Sequence, residues 1–328
     1  MTQPALTRAS TMGPVVEFVA RGGGCVARVF RSAELPLRLA EQPDLLVPLR
    51  DQFRLIECAA RELGDDALPA RLAREAGVAG LGPWAQRFCA APSLRRAIET
   101  GIGDCALLLQ SATHMALTVD GPLARWTYRI TERTPVGRQK NELLAMGYMI
   151  SVLRWYAGAS WAPDRLDMPG PRLPGRASVE SLNGCDVTHG EVAAVVFPAH
   201  LLDVPNPRTG CFRSEDDPTS LPGAEDLVGY VRELVRLSLL DGRPHRAWVA
   251  RRLGLTVRTL QRRLQAQGTS FADVVRGISR AQAAVLLRRP EASVTEVAYE
   301  LGYADPAHFT RAFVDWYGQS PQRWRREH

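Results

Sequence analysis

A short segment that occurs twice near the C-terminus constrains the fold more than any other part of the sequence. Residues 249–255 (VARRLGL) return 48 positions later as residues 297–303 (VAYELGY). In each copy a small residue, Ala250 or Ala298, is followed four positions later by a glycine. A small residue where two helices cross, and a glycine in the turn between them, are typical of a helix-turn-helix unit. The repeat therefore predicts two such units joined by a long connection.

The second helix of each predicted unit has one apolar face and one outer face. Leu260 and Leu264 face inward in the first unit, and Phe309 and Phe313 take their places in the second, at an offset of 49. The residues left on the two outer faces are Arg258, Gln261, Arg262, Ala307, His308, Thr310 and Arg311. Arginine pairs with guanine, glutamine pairs with adenine, and alanine or threonine methyl groups contact the thymine methyl. A solvated charged face is the alternative interpretation of either helix alone, but two such helices in phase favour DNA reading.

Signals for helix starts support this arrangement. Residues 293–296 (SVTE) and 270–273 (SFAD) have the form of capping boxes, and Asp305 before Pro306 provides an N-cap and a first-turn proline. Between the units, residues 271–288 are predicted as an amphipathic helix, about 27 Å long at ~1.5 Å per residue. Its apolar side is predicted to consist of Phe271, Val274, Val275, Ile278 and Val285. A helix of that length would set two reading helices close to one turn of B-DNA apart, ~34 Å.

The distribution of charge indicates a polyanionic partner for the same region. Residues 226–328 contain 17 arginines and no lysine against 10 acidic residues, a net charge of +7. The preceding 225 residues hold 24 basic and 25 acidic groups, so the formal charge of +6 lies in the C-terminal third. Lys140 is the single lysine of the chain. Concentrated positive charge of this kind attracts nucleic acids.

Length and composition favour two globular domains. The 328 residues are 45% hydrophobic, and no apolar run approaches the ~20 residues that cross a bilayer. The N-terminus lacks the pattern of a secretory signal, so a cytoplasmic, nucleoid-associated protein without membrane contact is expected. The predicted parts are a flexible arm at residues 1–25, a first domain at 26–203, a proline-rich linker at 204–223 and a DNA-binding domain at 224–328.

The first domain reads as α+β, with a sheet covered by helices. Helical periodicity extends to about residue 97, and the period then changes. Residues 116–119 and 126–130 are predicted to form a hairpin, followed by an apolar helix at 141–156. An edge strand near 165–168 and a buried strand at 192–197 complete the sheet. The second domain is expected to be all α-helical.

The sequence gives no sign of catalytic, metal or cofactor chemistry. All six cysteines precede residue 212, and none forms a Cys-x-x-Cys pair or has a histidine at zinc-finger spacing. A nucleophile elbow, a phosphate loop and a dinucleotide fingerprint are all missing. Two alternatives to a DNA-binding protein controlled by a small molecule remain. One is a cysteine-based alkyl-transfer repair enzyme fused to a DNA-reading domain, and the other is a DNA-binding protein that responds to no small-molecule effector.

The C-terminal region resembles the DNA-binding domain of AraC/XylS-type bacterial transcription regulators over about residues 225–326. The resemblance is carried by the following segments: LTVRTLQRRLQAQGTSF, SVTEVAYELGYADPAHFTRAFVDWYGQSP and the closing QRW. It implies that the seven outer-face residues contact bases or backbone of double-stranded promoter DNA, and that the protein is not an enzyme. The first domain is similar, more weakly, to the arabinose-binding-like effector domain of this family.

That second resemblance implies a domain that senses a small organic effector and forms a homodimer, in a regulator able to contact RNA polymerase. It transfers no ligand residue. Four aromatic residues are candidates to line an effector pocket, with core packing as the alternative role for each: Trp126, Tyr128, Tyr148 and Trp155.

Overall fold

The computed structural model describes residues 4–132, 136–170, 172–208, 220–223, 225–242 and 244–328. They form two compact units, Ala5–Leu221 and Pro222–His328. The first unit combines helices with a sheet, and the second contains only helices within its described residues. The predicted α+β and all-α classes are therefore confirmed.

Among its described residues, the first unit has eight α-helices around its core. In chain order they are α1 (Val15–Arg21), α2 (Val26–Ser32), α3 (Leu49–Leu63), α4 (Leu68–Ala76), α5 (Ala85–Ala90), α6 (Leu94–Asp104), α7 (Arg138–Ala157) and α8 (Arg176–Asn183). Helix α7 is the central one, because it packs against α3 and α4 on one side and the sheet on the other. Gly147 permits its close approach to α4, since a Cβ there would lie 2.5 Å from the Cβ of Ala73.

The chain before α3 also contributes a small two-stranded sheet. Its strands are β1 (Leu6–Arg8) and β2 (Leu46–Pro48), which pair antiparallel. The predicted flexible arm at residues 1–25 is corrected here. Leu6 and Thr7 are fully buried, and Val15 and Val19 of α1 point into the core. This part of the chain is ordered because its apolar side chains are covered and its backbone is hydrogen-bonded to a distant strand.

The main sheet has five strands. They are β3 (Thr113–Asp120), β4 (Leu123–Ile130), β5 (Arg165–Met168), β6 (Asp186–His189) and β7 (Ala193–Pro198). The spatial order is β3-β4-β7-β5-β6, with β5 and β6 parallel and the other neighbours antiparallel. The predicted hairpin is confirmed as β3–β4, and the predicted strand at 192–197 as β7. The prediction of an edge position for residues 165–168 is wrong, because β5 lies between β7 and β6.

The start of the predicted linker is folded onto the first unit. Asn206 is buried, and its side-chain amide donates to the carbonyls of Cys89 at 2.6 Å and Ala91 at 3.0 Å. Leu221, near the other end, donates its backbone N–H to the carbonyl of Leu107 at 2.7 Å. Residues 209–219 of the predicted linker lie outside the described residues.

Lys140 joins three elements of the first unit. From the start of α7, its ammonium lies 3.3 Å from a carboxylate oxygen of Glu57 on α3. The same ammonium lies 3.0 Å from a carboxylate oxygen of Asp66, in the segment that leads into α4. The lysine side chain is only 15% exposed, so this pair of contacts is shielded from solvent more than a surface ion pair is.

The described residues of the second unit form seven α-helices. They are α9 (Leu227–Leu239), α10 (Arg246–Arg252), α11 (Val257–Ala266), α12 (Phe271–Leu287), α13 (Val294–Glu300), α14 (Pro306–Tyr317) and α15 (Pro321–Glu327). Helix α9 packs against α10 and α12, as its apolar stripe predicts. Helices α10–α11 and α13–α14 are two helix pairs, and α12 connects them.

Candidate functional site

The first helix pair has the geometry of a helix-turn-helix unit. Ala250 of α10 is almost fully buried where α11 crosses it, and Gly254 in the turn has a φ of 65°. A residue with a Cβ is strained in that left-handed region. Thr256 caps α11 by accepting the backbone N–H of Thr259 at 3.1 Å. The start and direction of α11 are therefore fixed locally.

Apolar contacts decide which face of α11 is free. Leu260 and Leu264 are fully buried, so the helix cannot rotate without exposing both. Arg258, Gln261 and Arg262 are exposed on the opposite side. The three polar side chains predicted for DNA reading in this unit thus share one accessible surface.

The second helix pair repeats this construction with a longer turn. Gly302 has a φ of 76°, and α14 begins at Pro306, after Asp305 accepts the backbone N–H of Ala307 at 2.8 Å. The capping box predicted for α13 is present: Ser293 accepts from the N–H of Glu296 at 3.1 Å, and Glu296 accepts from the N–H of Ser293 at 2.7 Å. The hydrogen bond from the Ser293 backbone N–H to the Glu296 carboxylate, supported by the Ser293 side chain, holds the pKa of Glu296 below its usual range.

An aromatic cluster holds α14 in place. Phe309 and Phe313 are fully buried with ring centroids 5.7 Å apart. Tyr317 stacks on Phe313 at 4.6 Å, and Trp324 of α15 meets the same ring edge-on at 6.0 Å. This packing orients α14 as the two leucines orient α11.

The outer face of α14 differs from that of α11. Ala307, His308 and Arg311 are exposed, whereas Thr310 is half-buried. The Thr310 hydroxyl donates to the carbonyl of Pro306 at 3.0 Å, so this hydroxyl hydrogen is already engaged within the helix. The outer face of α14 therefore presents one arginine, one imidazole and small apolar groups, whereas the outer face of α11 presents two arginines and an amide.

Three arginines lie exposed on the second helices of the two helix-turn-helix units. Arg276 and Arg323 have carboxylate partners, Asp273 at 3.8 Å and Glu327 at 3.0 Å. Across the part of the chain that the structure describes, no carboxylate lies within 4.0 Å of the guanidinium groups of Arg258, Arg262 or Arg311. Their charges are exposed and uncompensated, which is the state a phosphate- or guanine-binding arginine needs.

Helix α12 sets the spacing of the two helix-turn-helix units. Ser270 caps it by accepting the N–H of Asp273 at 3.2 Å, and its 17 residues run from Phe271 to Leu287. At ~1.5 Å per residue the helix is about 25 Å long, slightly shorter than expected. The assignment of Val285 to its buried side is wrong, because this residue is 61% exposed.

The turn glycines give a direct test of this geometry. Gly254→Ala is expected to destabilise the second unit by about 1–2 kcal/mol, because the added Cβ meets open space but a φ of 65° is strained for any residue with a side chain. Gly277→Ala is the matched control in α12, where the Cβ also meets nothing within 4 Å but the backbone is helical. That change should stabilise by about 0.5–1 kcal/mol. Exchange of the most protected amides in the full chain measures both free energies, and two changes of the same sign would contradict the assignment.

Three of the four aromatic candidates for an effector pocket meet at one buried cavity of about 50 Å³ in the first unit. Trp126, Tyr128 and Tyr148 line it, from β4 and α7. Sequence reasoning did not identify other residues in this wall, namely Thr11, Gln52, Trp84, Gln110 and Asn141. They come from separate elements and share no sequence motif, so only the tertiary structure brings them together.

Trp155 lies elsewhere, facing a surface cleft. Its indole N–H donates to Asn206 at 3.3 Å, and the guanidinium of Arg208 lies 4.6 Å from its ring centroid. Among the described residues this contact set is structural, since it ties α7 to the chain that leaves the first unit. The structure thus separates Trp155 from the other three aromatic candidates.

The buried thiols do not have the properties of an alkyl acceptor. Burial raises the pKa of Cys89 and Cys185 to about 11 and that of Cys105 to about 12, and it also raises the pKa of Cys58. A nucleophilic cysteine requires the opposite shift, because the thiolate is the reactive form. None of these four thiols is activated. Cys211 lies outside the described residues.

The described residues also contain no cluster of three or more histidine, cysteine or acidic side chains that could hold a metal ion. In the same portion of the chain, none of the helices combines the length and the hydropathy required of a membrane-spanning segment.

Comparison with known proteins assigns both units. The arabinose-binding domain found at the N-terminus of AraC transcription regulators matches residues 23–206, and a helix-turn-helix domain matches residues 249–327. The regulator VirS of Mycobacterium tuberculosis is 27% identical over 336 residues, which cover 98% of this chain and 96% of that protein. The regulator GlxA of Rhizobium meliloti is 38% identical over 82 residues, 25% of each chain.

Among solved structures, the transcriptional regulator CdpR from Pseudomonas aeruginosa aligns with 94% of this chain and 98% of its own, with a TM-score of 0.41 and 19% identity. The first family match alone spans more than half of the chain. Both VirS and GlxA are transcriptional regulators of the helix-turn-helix type. The chain belongs to the AraC family of transcription regulators, with an N-terminal arabinose-binding-like domain and a C-terminal helix-turn-helix DNA-binding domain.

Proposed function

We propose that one chain reads two successive major grooves on one face of promoter DNA, through the outer faces of α11 and α14. The observation that carries this proposal is the position of three exposed arginines without carboxylate partners among the described residues, which lie on α11 and α14 opposite the buried sides of these helices: Arg258, Arg262 and Arg311. Each lies on the second helix of a helix-turn-helix unit, and that helix is the one that enters the groove in such units.

The chemistry of the two faces predicts different half-sites. In the first helix-turn-helix unit, Arg258 and Arg262 are proposed to contact guanine or phosphate, and Gln261 to contact adenine. In the second helix-turn-helix unit, Arg311 is proposed to contact guanine. Ala307 and Thr310 offer methyl groups to thymine, and His308 provides a further polar contact. The first half-site should therefore depend more on hydrogen bonds, and the second more on apolar contacts.

The first unit is proposed to control this binding in response to a small organic effector held by Trp126, Tyr128 and Tyr148. Homodimerisation is proposed through the same unit, where the edge strand β3 leaves Val119 51% exposed. Contact with RNA polymerase and residence on the nucleoid complete the proposed mode of action.

The spacing of the half-sites tests the reading of DNA by a single chain. Sites bound across the genome first define the operator. Inserting 5 bp between the two half-sites of one chain is expected to lower affinity on the order of 100-fold, because it rotates the second half-site to the opposite face of the duplex. Inserting 10 bp restores the face but not the distance.

Because α12 fixes the separation of the two helix-turn-helix units, the 10-bp insertion should fail to restore binding. Equilibrium titrations at constant salt measure all three operators, since affinity for DNA depends steeply on salt. Full recovery with the 10-bp insertion would contradict the proposal, because it requires the two reading helices to move apart by a turn of DNA.

A further inference from the structure

The buried cavity of the first unit has an unusual balance of polar groups. Most of its lining is apolar, and none of the described residues that line it is charged. Five aromatic rings are part of the lining: Trp84, Phe88, Trp126, Tyr128 and Tyr148. Phe88 contacts both indoles, with ring centroids 4.5 Å from Trp84 and 6.2 Å from Trp126.

The indole N–H groups of this wall lack acceptors. Trp84 and Trp126 are 3% and 1% exposed, and neither indole nitrogen has a hydrogen-bond partner within the part of the chain that the structure describes. Buried polar groups in folded proteins are nearly always paired, because leaving them unpaired is costly. Two unpaired donors from residues that line the same cavity therefore point to an acceptor supplied by a ligand.

A third donor comes from Tyr128. Its hydroxyl oxygen accepts hydrogen bonds from the side-chain amides of Gln110 at 2.5 Å and Asn141 at 3.3 Å. Burial raises the pKa of Tyr128, so the hydroxyl remains protonated. With its oxygen occupied by two donors, its own hydrogen can turn towards the Thr113 side chain, which also interacts with this hydroxyl, or towards a ligand.

A chain of hydrogen bonds fixes the orientation of that tyrosine. The Thr11 hydroxyl lies 2.7 Å from both the Gln52 amide oxygen and the Arg8 carbonyl oxygen, and the Gln52 amide donates to the Asn141 carbonyl oxygen at 2.9 Å. Asn141 can then present only its NH₂ group to Tyr128. At the other side, Gln110 also donates to Thr113 at 2.6 Å, which sets its amide in the same sense. The polar wall is thus arranged to leave a donor, and not an acceptor, facing a ligand.

We propose that this cavity binds a small uncharged molecule that carries hydrogen-bond acceptors, such as the oxygen of a ketone or ester, and few donors. The cavity contains no charged group to compensate a carboxylate or an ammonium ion, and burying an unpaired charge is strongly unfavourable. Its apolar walls accept short hydrocarbon parts. The role of this ligand as the effector rests on the proposed function, whereas its chemical class follows from the cavity.

The size of the cavity limits the ligand further. About 50 Å³ holds roughly four groups of the size of a water molecule. Met115 and Met149 also line the cavity, and unbranched methionine side chains can change rotamer to admit a larger molecule. A short-chain carbonyl compound fits without such movement.

The test uses the full chain with ¹⁵N-labelled tryptophan, whose 7 indole N–H groups each give one NMR signal. Three probes of similar shape are titrated: butan-2-one, its hydrocarbon analogue 2-methylbut-1-ene, and the charged propanoate. Butan-2-one should shift two signals downfield, and Trp84→Phe and Trp126→Phe assign them. Its affinity should exceed that of the alkene about fivefold to tenfold, the effect of one or two hydrogen bonds, and propanoate should not bind.

Two tyrosine variants provide a matched control. Tyr128→Phe should remove most of the preference for the ketone, since it deletes the hydroxyl donor and keeps the ring. Tyr299→Phe should leave the preference unchanged, because Tyr299 is 56% exposed on α13 of the second unit and does not line the cavity. Equal affinity for ketone and alkene, or no shift of the two indole signals, would overturn the proposal.

Operator titrations of the same samples distinguish ligand binding in the cavity from an effect of that ligand on DNA binding. If butan-2-one binds and operator affinity changes, both the site and its role as an effector site are supported. If it binds without any change in operator affinity, the ligand class stands and the proposed effector role fails. Absence of binding overturns the site and leaves the reading of DNA by α11 and α14 unaffected.

Discussion

Phe313→Ala is expected to lower the free energy of unfolding of the α12–α15 region by about 3–5 kcal/mol. The ring is fully buried and meets four other aromatic rings, with centroid distances from 4.6 Å for Tyr317 to 6.5 Å for Trp316. Removing it leaves a cavity at the point where α13, α14 and α15 are held together. Amide hydrogen exchange of the full chain should therefore show fast exchange across residues 294–327 and much smaller changes in α10 and α11.

The neighbouring residue is the control for this variant. Val314 is 42% exposed on the same helix, so Val314→Ala removes side-chain atoms without creating a buried cavity. Its effect should stay within about 0.5 kcal/mol. If amide exchange in α10 and α11 accelerates as much as in α14, the two helix-turn-helix units unfold cooperatively. The description of two separately packed helix pairs would then be wrong.

Arg262→Ala and Arg311→Ala should each weaken binding to the operator by about 1–3 kcal/mol, or roughly 5- to 150-fold. Both guanidinium groups are exposed and, over the described residues, have no carboxylate partner, so their full hydrogen-bonding capacity is available to DNA. The two losses should appear at different places. Base preference should relax in one half-site for Arg262→Ala and in the other for Arg311→Ala. Competition binding with operators mutated at single positions measures this.

Arg236→Ala separates base reading from general charge. Arg236 lies in α9, outside the reading helices, and is ion-paired with Glu233 at 3.0 Å. Its removal lowers the net charge by the same amount but should not change base preference. Affinity for unrelated DNA should fall alike in all three variants, since that binding is set by charge. If Arg262→Ala and Arg311→Ala bind the operator as the unchanged protein does, the assignment of the reading faces is wrong.

The second unit follows closely from the sequence because its signals are local. A glycine at the turn, a cap at each helix start and apolar residues spaced three or four apart act within one or two helical turns. The capping box at Ser293 and the buried positions of Leu260 and Phe309 were predictable for that reason. Val285 was misassigned because periodicity alone does not say how wide the buried stripe of α12 is.

The first unit depends on contacts between distant parts of the chain, which a sequence pattern does not record. Strand β1 has three residues, too few to show alternation, and its partner β2 lies about forty residues later. Leu6 is buried only because that pairing forms. The cavity presents the same difficulty, since Gln52, Gln110 and Asn141 have no motif in common and are ordinary polar residues until the fold joins them.

The separation of Lys140 from the DNA-binding unit has a consequence for chemical modification. Acetylation and related acylations of lysine side chains neutralise positive charge, and in many DNA-binding proteins this weakens the hold on phosphate. Here the 17 arginines of residues 226–328 have no lysine among them, and guanidinium groups keep their charge at physiological pH. The single lysine is enclosed by Glu57 and Asp66 in the first unit. The affinity of this protein for DNA is therefore insensitive to lysine acylation within its DNA-binding unit, and the one lysine side chain that can be acylated lies in the first unit.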